Sequence, residues 1–162
     1  MSFLSEKEFE IKYKLYAQEL MNVCYGYTKD KYASEDLVQN VFIKFLNSNK
    51  VFNSDLEEKY WLLRVAINEC KNYIRSRVKI VYNEDVINFS IKEKEVKDEK
   101  ILFVSEFVKG LPEKYRSVIV LFYYDSLSIN DISNTLKISV NAVKKRLERA
   151  RKMIKDKLET NY

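Results

Sequence analysis

The chain has 162 residues, 46% of them hydrophobic, with two glycines, one proline, two cysteines and no histidine. That length fits one domain or two small ones, and so few turn-forming residues argue against a hairpin-rich fold and for an all-α one. The net charge of +5 sits in the last third: residues 111–162 hold 11 basic and 6 acidic groups, whereas residues 1–78 hold 12 and 11, so an anionic partner, nucleic acid or membrane surface, is expected for that third.

Seven helices are expected. The first covers roughly 6–27, with Gly26 near its end. The second starts at Ser34 as N-cap, carries Glu35 and Asp36 where the helix dipole favours acids, and runs to about Leu46. A polar loop, NSNKVFNSDLEE (47–58), leads to a third helix from about Glu58 to Arg77. Residues 79–97 mix charge with scattered apolar residues at no sustained period and read as a linker. A short helix over about 98–109 stops at Gly110, and Pro112 occupies the first turn of a fifth. Ser128 and Asp131 form a capping-box-like start to the sixth, and Ser139 caps the seventh.

The last two helices, joined by the tight turn Leu136-Lys137-Ile138-Ser139, have the spacing of a helix-turn-helix. The second of them, SVNAVKKRLERARKMIKDKL (139–158), is two-faced. Val140, Val143, Leu147, Ala150, Ile154 and Leu158 share one arc; Asn141, Lys145, Arg149 and Lys152 lie opposite, flanked by Lys144 and Lys155. Such a cationic face suits a DNA groove, where Lys and Arg neutralise phosphates and Asn can pair with adenine. A solvated charged face is the plainer reading. A membrane-surface helix would place Trp or Phe on its apolar side, and none is there.

The stretch YWLLRVAINECKNYIRSR (60–77) is also two-faced. Leu62, Leu63, Ala66, Ile67, Cys70, Tyr73 and Ile74 form its apolar arc, and Trp61, Arg64, Val65, Asn68, Lys71, Asn72 and Arg75 the other. An aromatic among amides and cations fits single-strand binding; a Trp wedged between helices beside ordinary surface polars is the plainer reading from phase alone. Cys24 and Cys70 fall in apolar helical patterns and read as buried, inert thiols.

Three segments resemble bacterial sigma-70-type factors. SEDLVQNVFIKFL (34–46) resembles their region 2.2, WLLRVAINECKNYIRSR (61–77) their regions 2.3–2.4, and residues 111–158, including the RAR at 149–151, their region 4. Nothing like regions 1.1 or 3 fits between, as in the short extracytoplasmic-function (ECF) subgroup. The resemblance implies two small helical domains, region 2 over 1–78 and region 4 over 98–162, joined by the linker 79–97. It further implies a factor that binds core RNA polymerase, directs it to promoters and promotes initiation. Asp36, Gln39 and Asn40 match the surface that docks on the β′ clamp helices. Asn68 and Asn72, with Trp61, Lys71 and Arg75 nearby, match the reader of the single-stranded −10 element. Lys144, Lys145 and Arg149 match positions that contact the −35 duplex, and Asn141 opens that helix. An anti-sigma factor is a further possible partner.

The sequence departs from the family at Ser133 (usually Ala), Lys137 (usually Gly in the turn) and Ala142 (commonly Thr). Lys137 implies a turn that avoids a left-handed residue or strains one. Glu148 could accept from a cytosine amine or pair with Lys144 or Lys152, and pairing is the stronger expectation. No enzyme is expected: there is no CxxC metal spacing, glycine-rich phosphate loop or G-x-S-x-G elbow, so no catalytic, metal or cofactor residue is nominated. No signal peptide and no apolar run of about 18 residues is seen, so no membrane insertion and a cytoplasmic location are expected. Two other readings are a stand-alone helix-turn-helix regulator and an interaction module whose basic helix is merely solvated.

Overall fold

The structure, a computed structural model, describes residues 4–84 and 107–160, with side chains up to residue 77 and again from 107. Helix α1 (Glu6–Thr28) opens with a capping box: Ser5 Oγ accepts from the Glu8 amide at 3.2 Å, and Glu8 Oε2 accepts from the Ser5 amide at 2.9 Å. Helix α2 (Lys31–Ser48) starts four residues earlier than expected. Its cap is Asp30, whose carboxylate accepts from two amides, Tyr32 at 2.9 Å and Ala33 at 3.1 Å. Ser34 is instead buried one turn in, its hydroxyl 2.7 Å from Thr28 Oγ1. An ionised acceptor serving two orphan N–H groups outcompetes a single hydroxyl.

Helix α3 (Asp55–Glu84) runs past Arg77 into the segment read as linker. From residue 85 that linker, and nearly all of the short helix expected over 98–109, lie outside the described residues. At the near end Ser54 Oγ accepts from the Glu57 amide and Glu57 Oε2 from the Asn53 amide, starting the helix before Glu58. Glu58 is buried against α1, where Lys12 Nζ (2.7 Å) and the Tyr16 hydroxyl (2.8 Å) satisfy it.

The first three helices bury a common core: Leu20, Val23, Cys24 and Tyr27 from α1, Val41, Phe42 and Phe45 from α2, and Leu62, Leu63, Ala66, Ile67 and Cys70 from α3. The α3 residues are those of its expected apolar arc. Both cysteines are free and buried. The hydrogen bond to Cys24 and burial push the Cys70 thiol well above its ordinary value, away from the reactive thiolate.

In the C-terminal half, Pro112 precedes α4 (Glu113–Ile119), which passes into a π-helical turn, Val120–Tyr124. A continuous helix was expected here. The widened turn buries Val120 and Leu121 and sets Tyr124 against α1. Helix α5 (Ile129–Leu136) is capped by Ser128, which accepts from the Asp131 amide at 3.0 Å. Helix α6 (Val140–Thr160) is capped by Ser139, which accepts from the Ala142 amide at 3.0 Å. Lys137, between them, is left-handed (φ 57°, ψ 45°), the strained alternative of the two foreseen. The Ser133 hydroxyl donates to the Ile138 carbonyl at 2.6 Å and braces that turn.

The two halves pack along a seam formed by α1 and the start of α3 on one side and the π-helical turn and α5 on the other. Gly26 sits at its tightest point. A Cβ there would lie 2.8 Å from Val120 Cγ1 and 3.0 Å from the Tyr124 ring. Polar bonds cross the seam as well: Tyr27 Oη donates to Glu113 Oε1 at 2.7 Å, and Tyr60 Oη to Asp131 Oδ1 at 2.6 Å.

Candidate nucleic-acid interface

Helix α6 separates its faces as its sequence pattern requires. Val143, Leu147, Ala150 and Ile154 are buried, Leu158 is half-buried, and Val140, at the helix start, stays exposed. Asn141, Lys144, Lys145 and Arg149 are all exposed, with Lys152 and Lys155 extending the same cationic face. No acid lies within ion-pair distance of these cations among the described residues, so the expected pairing of Glu148 with Lys144 or Lys152 is absent. The neighbouring Arg149 guanidinium, followed by Lys114, lowers the pKa of the Tyr115 phenol. Arg151 is taken up elsewhere: its Nε donates to Tyr123 Oη at 2.9 Å, and its guanidinium lies 5.3 Å from the Phe122 ring centre. Of the RAR segment, then, Arg149 faces outward, Ala150 fills the core and Arg151 braces the π-helical turn.

On α3, Asn68, Asn72 and Arg75 are exposed and Lys71 half-exposed. With Trp61 they form a stripe roughly 21 Å long, taking 1.5 Å per residue. Trp61 is half-buried, its ring 5.7 Å from Phe52 and 6.2 Å from Phe45, with Lys50 Nζ 5.6 Å above it. It is therefore wedged in an aromatic cluster and still reachable at one edge. On α2, Asp36, Gln39 and Asn40 are exposed, opposite buried Leu37, Val38, Val41 and Phe42.

The structure adds groups beside Trp61 that the sequence did not nominate for a site. Lys50, Phe52 and Arg64 from the first half and Asn134 and Lys137 from the second line a cavity of about 510 Å³ at the seam. Arg64 Nη1 is shut off from solvent there with no hydrogen-bond partner. Arg64 stood on the polar arc of α3, but nothing local could place Asn134 and Lys137 near it, 70 residues away. At the edge of the cavity the bond from Tyr60 lowers the pKa of Asp131.

The arrangement offers two cationic, amide-bearing surfaces on separate helical units and, among the described residues, no cluster of His, Cys, Asp or Glu able to hold a metal. Residues 13–80 match the family model of sigma-70 region 2, and residues 104–154 that of sigma-70 region 4. The chain belongs to the sigma-70 family. The ECF sigma factor SigX of Bacillus subtilis is 28% identical over 166 residues, covering 95% of this chain and 85% of its own. The ECF sigma-E factor of Escherichia coli K12 is 30% identical over 139 residues, covering 76% and 73%. Among solved structures, the Bartonella quintana sigma factor RpoE, in complex with the anti-sigma factor NepR, superposes with a TM-score of 0.69 at 21% identity, covering 96% of this chain and 99% of that one. This sigma factor is of the ECF subgroup: it initiates transcription through core RNA polymerase and promoter DNA and is not an enzyme. No helix among the described residues is long and apolar enough to cross a membrane.

Proposed function

We propose that the three exposed surfaces divide the work of promoter recognition in this sigma factor. Asn141, Lys144, Lys145 and Arg149 bind the −35 duplex in the major groove, the cations on phosphates and guanine edges, Asn141 on adenine. Asn68, Lys71, Asn72 and Arg75 follow the −10 single strand, with the open edge of Trp61 as a stacking surface. Lys50 and Arg64 extend the cationic side of that track. Asp36, Gln39 and Asn40 dock on the β′ clamp helices of the polymerase. Region 2 occupies 1–78 and region 4 98–162, joined by 79–97. The factor works in the cytoplasm. An anti-sigma factor closing over both units is a partner consistent with the complex in which the B. quintana relative was solved.

The observation that carries this reading is α6: buried Val143, Leu147, Ala150 and Ile154 on one side, and exposed Lys144, Lys145 and Arg149 with no acid in ion-pair distance on the other. Elements about 25 base pairs apart are separated by roughly 85 Å of B-DNA. A compact chain of this length spans roughly 40 Å, so reading both elements at once requires the seam to part. A gel shift on promoter duplex, with and without core polymerase, tests the reading. A shift that needs core supports it; tight binding by the chain alone overturns it in favour of a stand-alone regulator.

A further inference from the structure

Asp125 follows the π-helical turn, and Glu19 meets it from α1 across the seam. Each carboxyl group has one oxygen accounted for. Asn22 Nδ2 donates to Asp125 Oδ1 at 3.3 Å, and Lys59 Nζ, on α3, lies 3.2 Å from Glu19 Oε1. The remaining oxygens, Asp125 Oδ2 and Glu19 Oε2, are both shut off from water with no donor in reach. Two ionised carboxylates so placed would leave two buried acceptors unpaired and would repel each other across a low-dielectric gap. One proton between them removes both defects, because a protonated Asp125 donates to Glu19.

We propose that Glu19 and Asp125 share a proton across the seam, and that this pair is a proton-operated latch holding the two halves together. Burial first, and the Glu19 carboxylate second, raise Asp125 from 3.8 to about 7; Asn22 and Lys59 pull the other way. A carboxyl raised in the closed form favours closure at low pH and loses that effect as pH rises through about 7. The other titratable groups nearby are Tyr124 and Lys29, at the end of α1. Burial, and then Lys109, lower Lys29 to about 7, so closure regains support from it only above that pH. Tyr124 is raised by burial and stays protonated throughout. Below pH 7 the latch therefore governs, and neutral pH is where the seam holds least firmly. With the open-state groups at their ordinary values, the carboxyl alone lowers the closed-to-open ratio roughly twenty-fold between pH 5.5 and 7.5; Lys29 offsets about four-fold of this, which leaves a net fall of roughly six-fold.

The latch is a property of the free chain and does not depend on the promoter assignments. Carboxyl-carbon NMR of the full chain, without polymerase or DNA, follows Asp125 directly. A midpoint within about one unit of 7 is expected; a midpoint below about 6 overturns the proposal. Small-angle scattering gives the second readout. The wild-type radius of gyration is larger at pH 7.5 than at 5.5, whereas Asp125→Asn and Glu19→Gln, which each put an amide donor where the proton was, keep one radius at both. A wild-type radius unchanged by pH, or amide variants that swell as the wild type does, contradicts the latch.

Discussion

The Tyr60 hydroxyl donates to Asp131 Oδ1 at 2.6 Å, tying α3 to the first helix of the helix-turn-helix across 71 residues of sequence. The Asp131 carboxylate thereby serves the seam and also interacts with Ser128, the cap of α5, as a capping-box-like start requires. The hydrogen bond to Tyr60 holds Asp131 below its ordinary value. A carboxylate lowered in this way supports the closed form above pH 3.8 and loses that support as pH falls through its lowered pKa. Tyr60→Phe removes the donor and weakens the seam by about 1 kcal/mol at neutral pH. Hydrogen exchange of α5 amides checks it: protection falls in the variant at pH 7. Unchanged protection would mean that the bond contributes nothing to closure.

Gly26 is the position where α1 comes closest to the π-helical turn. Alanine there gains about 1 kcal/mol of helix propensity but places a methyl 2.8 Å from Val120 Cγ1, which is fully buried and has little room to move. Gly26→Ala should leave α1 helical and widen the molecule, seen as retained circular dichroism with a larger radius of gyration at pH 7. An unchanged radius would show that Val120 and Tyr124 can yield.

Lys144 and Arg149 are exposed and take no part in the core. Replacing either by alanine should weaken −35 duplex binding about tenfold and lower the salt slope of binding by about one. Affinity for core polymerase should be unchanged. Fluorescence anisotropy across a salt series checks both points; lost core affinity in these variants would contradict the assignment.

Asp36 and Gln39 are exposed on α2 with no ion pair to lose. The double variant Asp36→Ala, Gln39→Ala should fold normally and bind core polymerase more weakly by about 1–2 kcal/mol. Surface plasmon resonance against core enzyme measures it, and wild-type affinity would count against this docking face.

Local patterns were legible. The apolar arcs of α3 and α6, the Ser128 and Ser139 caps and the cationic face of α6 all follow from residue spacing, because a 3.6-residue period is enough to sort the two faces of a helix. The cap of α2 was misplaced because Ser34 and Asp30 are both good cap residues, and only the fold buries Ser34 against Thr28. The π-helical turn was not legible: VLFYY is an ordinary apolar helix until Gly26 and α1 are packed against it. The seam was hidden for the same reason. Tyr60 meets Asp131, Glu19 meets Asp125, and Arg64 and Lys137 line one cavity, each from distant segments, and no periodicity reports that.

Run-off transcription with purified core polymerase, on a library of promoter fragments, tests the central claim most directly. Transcripts should start only when this chain is added and only from templates sharing a −35 and a −10 element. They should be lost when Lys144 and Arg149, or Asn68 and Asn72, are replaced by alanine. Transcripts that persist in both sets of variants, or none from any template, would contradict the account.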